Sequence, residues 1–193
     1  MTSHSKASDE YLVLVDTKGR QIGIEEKLAA HQKGLLHAAF SLMIVRPSLS
    51  GFEYLLQRRA ISKYHSGGLW ANTCCSHPRP GESLPDSVQR RVKEELGMCE
   101  ELNLVALEPI IYRAQLDNEL IEHEFDHVFI AFEAQPTLNL NPDEVSEVKW
   151  ILEDKLFAQL TTHEDQFSAW FAKVFYAVKN HLAQMAVLQC NDN

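Results

Sequence analysis

The stretch Ser83-Leu84-Pro85-Asp86-Ser87-Val88-Gln89-Arg90-Arg91-Val92-Lys93-Glu94-Glu95-Leu96-Gly97 has a start, a stripe and a stop, and the rest of the chain is read outward from it. Ser83 is a helix cap with Pro85 in the first turn, Val88, Val92 and Leu96 recur every four residues, and Gly97 ends the run. The spacing predicts a helix with one buried stripe. Arg90 with Glu94 and Arg91 with Glu95 stand at i, i+4, where the simplest reading is surface ion pairs worth about a few tenths of a kcal/mol each. Glu95 adjoins Leu96, so it lies at the edge of the stripe, from which a carboxylate can reach an ion.

Before this helix, Gly67 to Gly81 is rich in Gly, Pro, Asn, Ser and Cys without helical period and is expected to be a long ordered loop. Further upstream, Tyr11–Val15 and Gln21–Ile24 flank the turn cluster Asp16-Thr17-Lys18-Gly19 and predict a hairpin. Glu25 to His31 reads as a helical turn. Ala38–Val45 and Glu53–Arg59 read as a strand pair, with a turn at Arg46-Pro47-Ser48 and Ser50-Gly51. Downstream, Leu102–Arg113 and Leu120–Phe132 are strand-like around an Asp117-Asn118 turn, and Val145–Leu152 adds another strand. Phe167, Trp170, Phe171, Val174, Val178, Leu182 and Met185 fall near helical spacing. Strands interleaved with single helices predict a compact mixed α/β (α+β) sandwich with flanking helices. It is expected to form one domain over 1–193, with an N-terminal extension at about 1–10 and a C-terminal helical region at about 153–189.

The 193 residues are 45% apolar and 23% charged, ordinary for a soluble globular protein and enough to bury a core without disulfides. Eighteen Lys and Arg against 27 Asp and Glu give a net charge of −9, which argues against nucleic acid and anionic membrane as partners. No apolar run is long enough to span a bilayer, and Met1 to Glu10 lacks an apolar leader core, so a cytoplasmic location is expected. Cys74, Cys75, Cys99 and Cys190 form no regular framework and are expected to be reduced.

Two passages concentrate chemistry. Leu69-Trp70-Ala71-Asn72-Thr73-Cys74-Cys75-Ser76-His77 sets two thiols, an imidazole and an indole within a few residues. A buried turn with incidental cysteines is one reading, and a thiol nucleophile or acid/base is the other. A structural zinc site is unsupported, since no second Cys/His pair of suitable spacing follows. In Glu122-His123-Glu124-Phe125-Asp126-His127, the strand period of two puts three acids on one face. That face is either solvated or neutralised by a cation, for which His31, His37 and His77 offer nitrogen donors suited to Mn, Fe or Zn. Arg58, Arg59, Lys63 and Lys27 form a basic group able to hold phosphate oxygens, or a solvated turn.

Ser76-His77-Pro78-Arg79-Pro80-Gly81-Glu82-Ser83 followed by Arg90 to Gly97 resembles a Nudix box, the loop and helix that bind a divalent metal and a diphosphate. Glu82, Arg90, Glu94, Glu95 and Gly97 match. The leading Gly is Ser76 here, and the Glu after the Arg is Arg91. With Arg58-Arg59-Ala60-Ile61-Ser62-Lys63, the Trp70 to His77 passage, Tyr112-Arg113-Ala114 and Glu122-His123-Glu124, the chain resembles the type 1 isopentenyl diphosphate isomerases from about Glu26 to Trp170. The resemblance implies that Cys75 and Glu124 are the catalytic pair, assisted by Tyr112. It implies that His31, His37, His77, Glu122 and Glu124 hold a divalent metal, Mn2+, Zn2+ or Mg2+, and that Glu95 holds a Mg2+ bridging to the substrate. Lys27, Arg59, Lys63 and Arg91 would contact the diphosphate, and Trp170 would line the hydrocarbon pocket. Five residues separate His31 from His37 where the resemblance implies about six.

The implied function is conversion of isopentenyl diphosphate to dimethylallyl diphosphate in isoprenoid biosynthesis, with a small isoprenoid diphosphate as partner. Adding a proton to an alkene makes a tertiary carbocation, so the site must exclude water and present a π face, from Trp170 and also Trp70. The alternatives are a Nudix hydrolase acting on another diphosphate, which leaves Arg91 unexplained, and a binding module without turnover.

Overall fold

A computed structural model describes residues 11–116, 119–133 and 135–191, so the expected N-terminal extension and the Asp117-Asn118 turn lie outside the described residues. The long strand β3 (His37–Ser48) is the centre of one mixed sheet. It runs parallel to β9 (Ile121–Phe132) and antiparallel to β4 (Gly51–Arg59). Beyond β4 lies β10 (Val145–Leu152), and beyond β9 lie β7 (Val105–Ala106) and β8 (Ile110–Gln115). The hairpin of β1 (Tyr11–Val15) and β2 (Gln21–Glu26) joins β3 through the single pair Leu14 and His37.

Alternation along β3 divides the core in two. Phe40, Leu42 and Ile44 face α2 (Leu84–Leu96), which presents Val88, Val92 and Leu96 as its stripe predicts. Met43 and Val45 face α3 (Glu153–Thr162) and α4 (Phe171–Asn191), which bring Leu156, Leu160, Phe171, Val174 and Val178. The expected α/β sandwich is therefore present, with helices on both faces of the sheet. Ser83 caps α2 by accepting from Asp86 N at 3.2 Å, and Gly97 closes it at φ 68°, where a Cβ would stand 2.4 Å from Asn139 O.

Several boundaries differ from the sequence reading. The Gly67–Gly81 loop contains two short strands, β5 (Trp70–Ala71) on β4 and β6 (Cys74–Ser76) on β3. Arg46, Pro47 and Ser48 remain in β3, Pro47 being tolerated near its end, and the turn falls after them. Glu25 and Glu26 finish β2, and Glu26 caps α1 (Lys27–Lys33) by accepting from Leu28 N and Ala29 N. Phe167 and Trp170 precede α4 but are buried with it. No described helix is long and apolar enough to cross a membrane.

Candidate active site

The short helix α1 carries His31, and Gly34 at φ 62° turns the chain so that His37 opens β3. This left-handed turn absorbs the five-residue spacing. Both imidazoles are fully buried, and each Nδ1 donates to a carbonyl: His31 to Lys27 O at 2.7 Å, His37 to Leu35 O at 2.8 Å. Neither Nε2 has a hydrogen-bond partner, and in a neutral ring each would offer a lone pair. His77, just past β6, joins them, the three residues offering ring nitrogens all within 4.8 Å of one another. Burial pushes His77 down to about 3, so its imidazole is neutral, the form that ligates a metal. Two orphaned buried nitrogens beside a third histidine and a carboxylate fit a divalent transition ion.

The acidic stripe of β9 is buried, so a solvated face is not what the structure contains: Glu122, Glu124 and Asp126 expose 3%, 6% and 0%. Register places Glu124 between His37 on β3 and Tyr112 on β8. Its Oε1 lies 3.0 Å from His77 Nε2 and 3.7 Å from His37 Nε2, and its Oε2 accepts from Tyr112 OH at 2.6 Å, with Glu122 Oε2 3.2 Å from the same hydroxyl. Burial alone would raise Glu124, but the His37 and His77 imidazoles hold it well below the usual carboxylate range. Burial, and then the Glu124 charge, push Glu122 well up. Asp126 is raised by burial and accepts from Ser41 Oγ at 2.8 Å.

Cys75 sits on β6 opposite Ser41 of β3, and burial raises its thiol so that it stays protonated at neutral pH. It lines a pocket with Glu122, Glu124, His77 and Trp170. Trp170 is anchored by donating from Nε1 to Asn72 Oδ1 at 3.0 Å. Lys27, Arg59, Lys63 and Arg91 line the same pocket, the Arg59 guanidinium 5.4 Å from the Trp170 ring centroid. Arg91 of α2 pairs with Glu95 at 2.5 Å and Glu94 at 2.9 Å, and Lys63 with Glu144 at 2.6 Å. Burial and the Lys63, Arg91 and Arg59 charges lower Lys27 to about 8.

A family model described as the NUDIX domain matches residues 35–171. The isopentenyl-diphosphate Delta-isomerase of Photobacterium profundum is 46% identical over 175 residues, 91% of this chain and 97% of that protein. That of Burkholderia multivorans is 47% identical over 166 residues, 84% and 89% of the two chains. The chain belongs to the isopentenyl-diphosphate Delta-isomerases of the NUDIX family. The crystal structure of DR0079 from Deinococcus radiodurans superposes on this isomerase with a TM-score of 0.67 over 86% of this chain and 98% of that one; at 18% identity it shares the fold.

Of the residues singled out in the isomerase sequence, Cys75, Glu122, Glu124, His77, Glu95 and the four cations line the pocket with Trp170, while His31, His37 and Tyr112 stand behind its wall. Glu95 exposes 3% and is bound by Arg91 and by Gln57 Nε2 at 3.2 Å, so Arg91–Glu95 is an inward pair. Two expectations are corrected. Arg58 points away, donating to Gly68 O and pairing with Glu147, because its neighbour Arg59 takes the inward face of β4. Trp70 lies outside the pocket under Lys149 Nζ, 3.8 Å from its ring centroid, so it offers no π face to the site. Tyr64, His65 and Glu144 were not singled out by sequence. Tyr64 and His65 follow Lys63 directly, the one signal that marked them. Cys74, Cys75 and Cys99 are free, and the side chain of Cys190 lies outside the described residues.

Proposed function

We propose that this isomerase moves protons across one water-poor pocket, with Cys75 on one wall and Glu124, assisted by Tyr112, on the other. The overall reaction, isopentenyl diphosphate to dimethylallyl diphosphate in isoprenoid biosynthesis, follows from its family. A proton added to the terminal alkene carbon leaves a tertiary cation, and loss of a proton from the carbon two bonds from the diphosphate oxygen places the new double bond. The observation that carries the reading is the pocket itself, which a thiol kept protonated by burial, a buried carboxylate, an indole and four cations line together. The thiol and carboxylate are the two proton carriers, and Trp170, whose ring centroid lies 5.4 Å from the Arg59 guanidinium, supplies the aromatic wall beside the cation. Tyr112 fixes the Glu124 carboxylate through its 2.6 Å hydrogen bond.

His31, His37, His77, Glu122 and Glu124 would hold a divalent ion, Mn2+, Zn2+ or Mg2+, which supplies charge that neutralises the two glutamates and orients Glu124. Glu95 would hold a Mg2+ carried by the substrate, whose diphosphate Lys27, Arg59, Lys63 and Arg91 bind. Local cations explain how a chain of net charge −9 takes an anion. The free thiols and the charge support a cytoplasmic location without nucleic-acid or membrane partners.

The test is NMR of isopentenyl diphosphate with the protein and Mg2+ in deuterated water. The expected result is dimethylallyl diphosphate bearing carbon-bound deuterium. Released phosphate with an unchanged hydrocarbon chain would replace this reading with a hydrolase.

A further inference from the structure

Two of the four pocket cations already hold a carboxylate oxygen. Glu144 Oε2 lies 2.6 Å from Lys63 Nζ and 3.2 Å from Arg91 Nη2, one oxygen between two cations from different elements. A diphosphate oxygen reaching the same pair would make the same two contacts. The backbone fixes Glu144 in this place: its carbonyl accepts from Ala60 N at 2.9 Å and its N–H donates to Asn141 O at 3.0 Å, just before Val145 pairs with Arg59. Glu144 also lines a side cavity that shares Lys27, Lys63 and Arg91 with the main pocket. Without an anion here, Lys63 would lose its ion pair, and Lys27, Arg59, Lys63 and Arg91 would face one another with the pocket carboxylates Glu95, Glu122 and Glu124 alone to offset them.

We propose that Glu144 is an internal stand-in for a diphosphate oxygen. It is a positioning residue that holds Lys63 and Arg91 in their binding posture, yields them when diphosphate enters and takes them back when product leaves. It thus sets affinity and release, and it does not touch the reacting carbons. The inference rests on the diphosphate-binding reading above and adds a competitor to it.

The experiment titrates inorganic diphosphate, with Mg2+, into the full chain by calorimetry for wild type, Glu144→Gln and Glu147→Gln. Glu147 pairs with Arg58 at 3.6 Å outside the pocket, so its variant changes net charge equally without touching Lys63 or Arg91. Removing the competitor should tighten binding about tenfold, the equivalent of one charge-assisted contact, while Glu147→Gln leaves it unchanged. In turnover, Glu144→Gln should lower KM without raising kcat, and stopped-flow should show slower release of dimethylallyl diphosphate. Unchanged or weaker binding overturns the proposal, the weaker case making Glu144 a ligand of the substrate's ion. Should Glu144→Gln fail to fold, Glu144→Asp, one methylene short of the cations, takes its place: intermediate tightening supports the proposal and none overturns it. A wild type that binds no diphosphate removes the underlying function, a failure distinct from a wild type that binds while Glu144→Gln binds no better.

Discussion

Stripping the ion proposed for the histidine cluster should cost this protein stability that can be worked from its geometry. In the metal-free chain, His31 Nε2 and His37 Nε2 are buried acceptors without partners. Each such group costs about 1–3 kcal/mol, so filling the site relieves about 2–6 kcal/mol before the ligand bonds themselves are counted. For a chain of this size, about 2–4 °C accompany each kcal/mol, and chelation should lower Tm by about 4–24 °C. The assay is calorimetry on reloaded and chelator-stripped protein, with metal content measured on both. His37→Phe sharpens the test, because it removes a ligand from the loaded protein but an orphaned polar atom from the stripped one. The gap between loaded and stripped Tm should therefore shrink in this variant. A stripped wild type, free of metal, that melts with the loaded protein would refute the reasoning, as would an undiminished gap in His37→Phe.

Cys75→Ala should abolish isomerisation, by at least about a hundredfold, while circular dichroism shows the fold intact; near-normal turnover would remove Cys75 from the chemistry. Tyr112→Phe takes away the hydrogen bond to Glu124 Oε2 at 2.6 Å, and kcat should fall by about ten- to a hundredfold with KM little changed. A KM effect alone would make Tyr112 a substrate contact. Lys27, lowered to about 8 by burial and its cationic neighbours, is fully charged only below that pH. Diphosphate affinity should accordingly be highest below pH 8 and weaken as pH rises through it, up to about tenfold per unit, with proton uptake on binding. Lys63, Arg91, Arg59 and Glu144 face the same amine, so Lys27→Met should abolish the uptake if Lys27 is its source. Ser83→Ala should cost about 1 kcal/mol through loss of the α2 cap, read as a small fall in Tm, and no fall would mean that Asp86 N finds another partner.

What could be read from residues alone was local or periodic. Ser83, the Val88, Val92 and Leu96 stripe and Gly97 delimit α2 because capping, apolar spacing and a left-handed glycine all act within a few residues. The period of two likewise puts Glu122, Glu124 and Asp126 on one side of β9. Periodicity fixes which residues share a face, but not which face is dry. Burial of those acids came from parallel pairing with β3 and from β8 across the other edge, contacts made at long sequence distance. The same limit separates Arg59 from Arg58 and Trp170 from Trp70: neighbours or look-alikes in sequence, assigned to the pocket or the outside by the packing of β4, β5 and the chain before α4. The sequence by itself determined the elements and the types of group available for proton transfer and metal binding. Tertiary structure decided their environment, because desolvation, neighbouring charge and the orphaned nitrogens of His31 and His37 exist only once distant strands close over them.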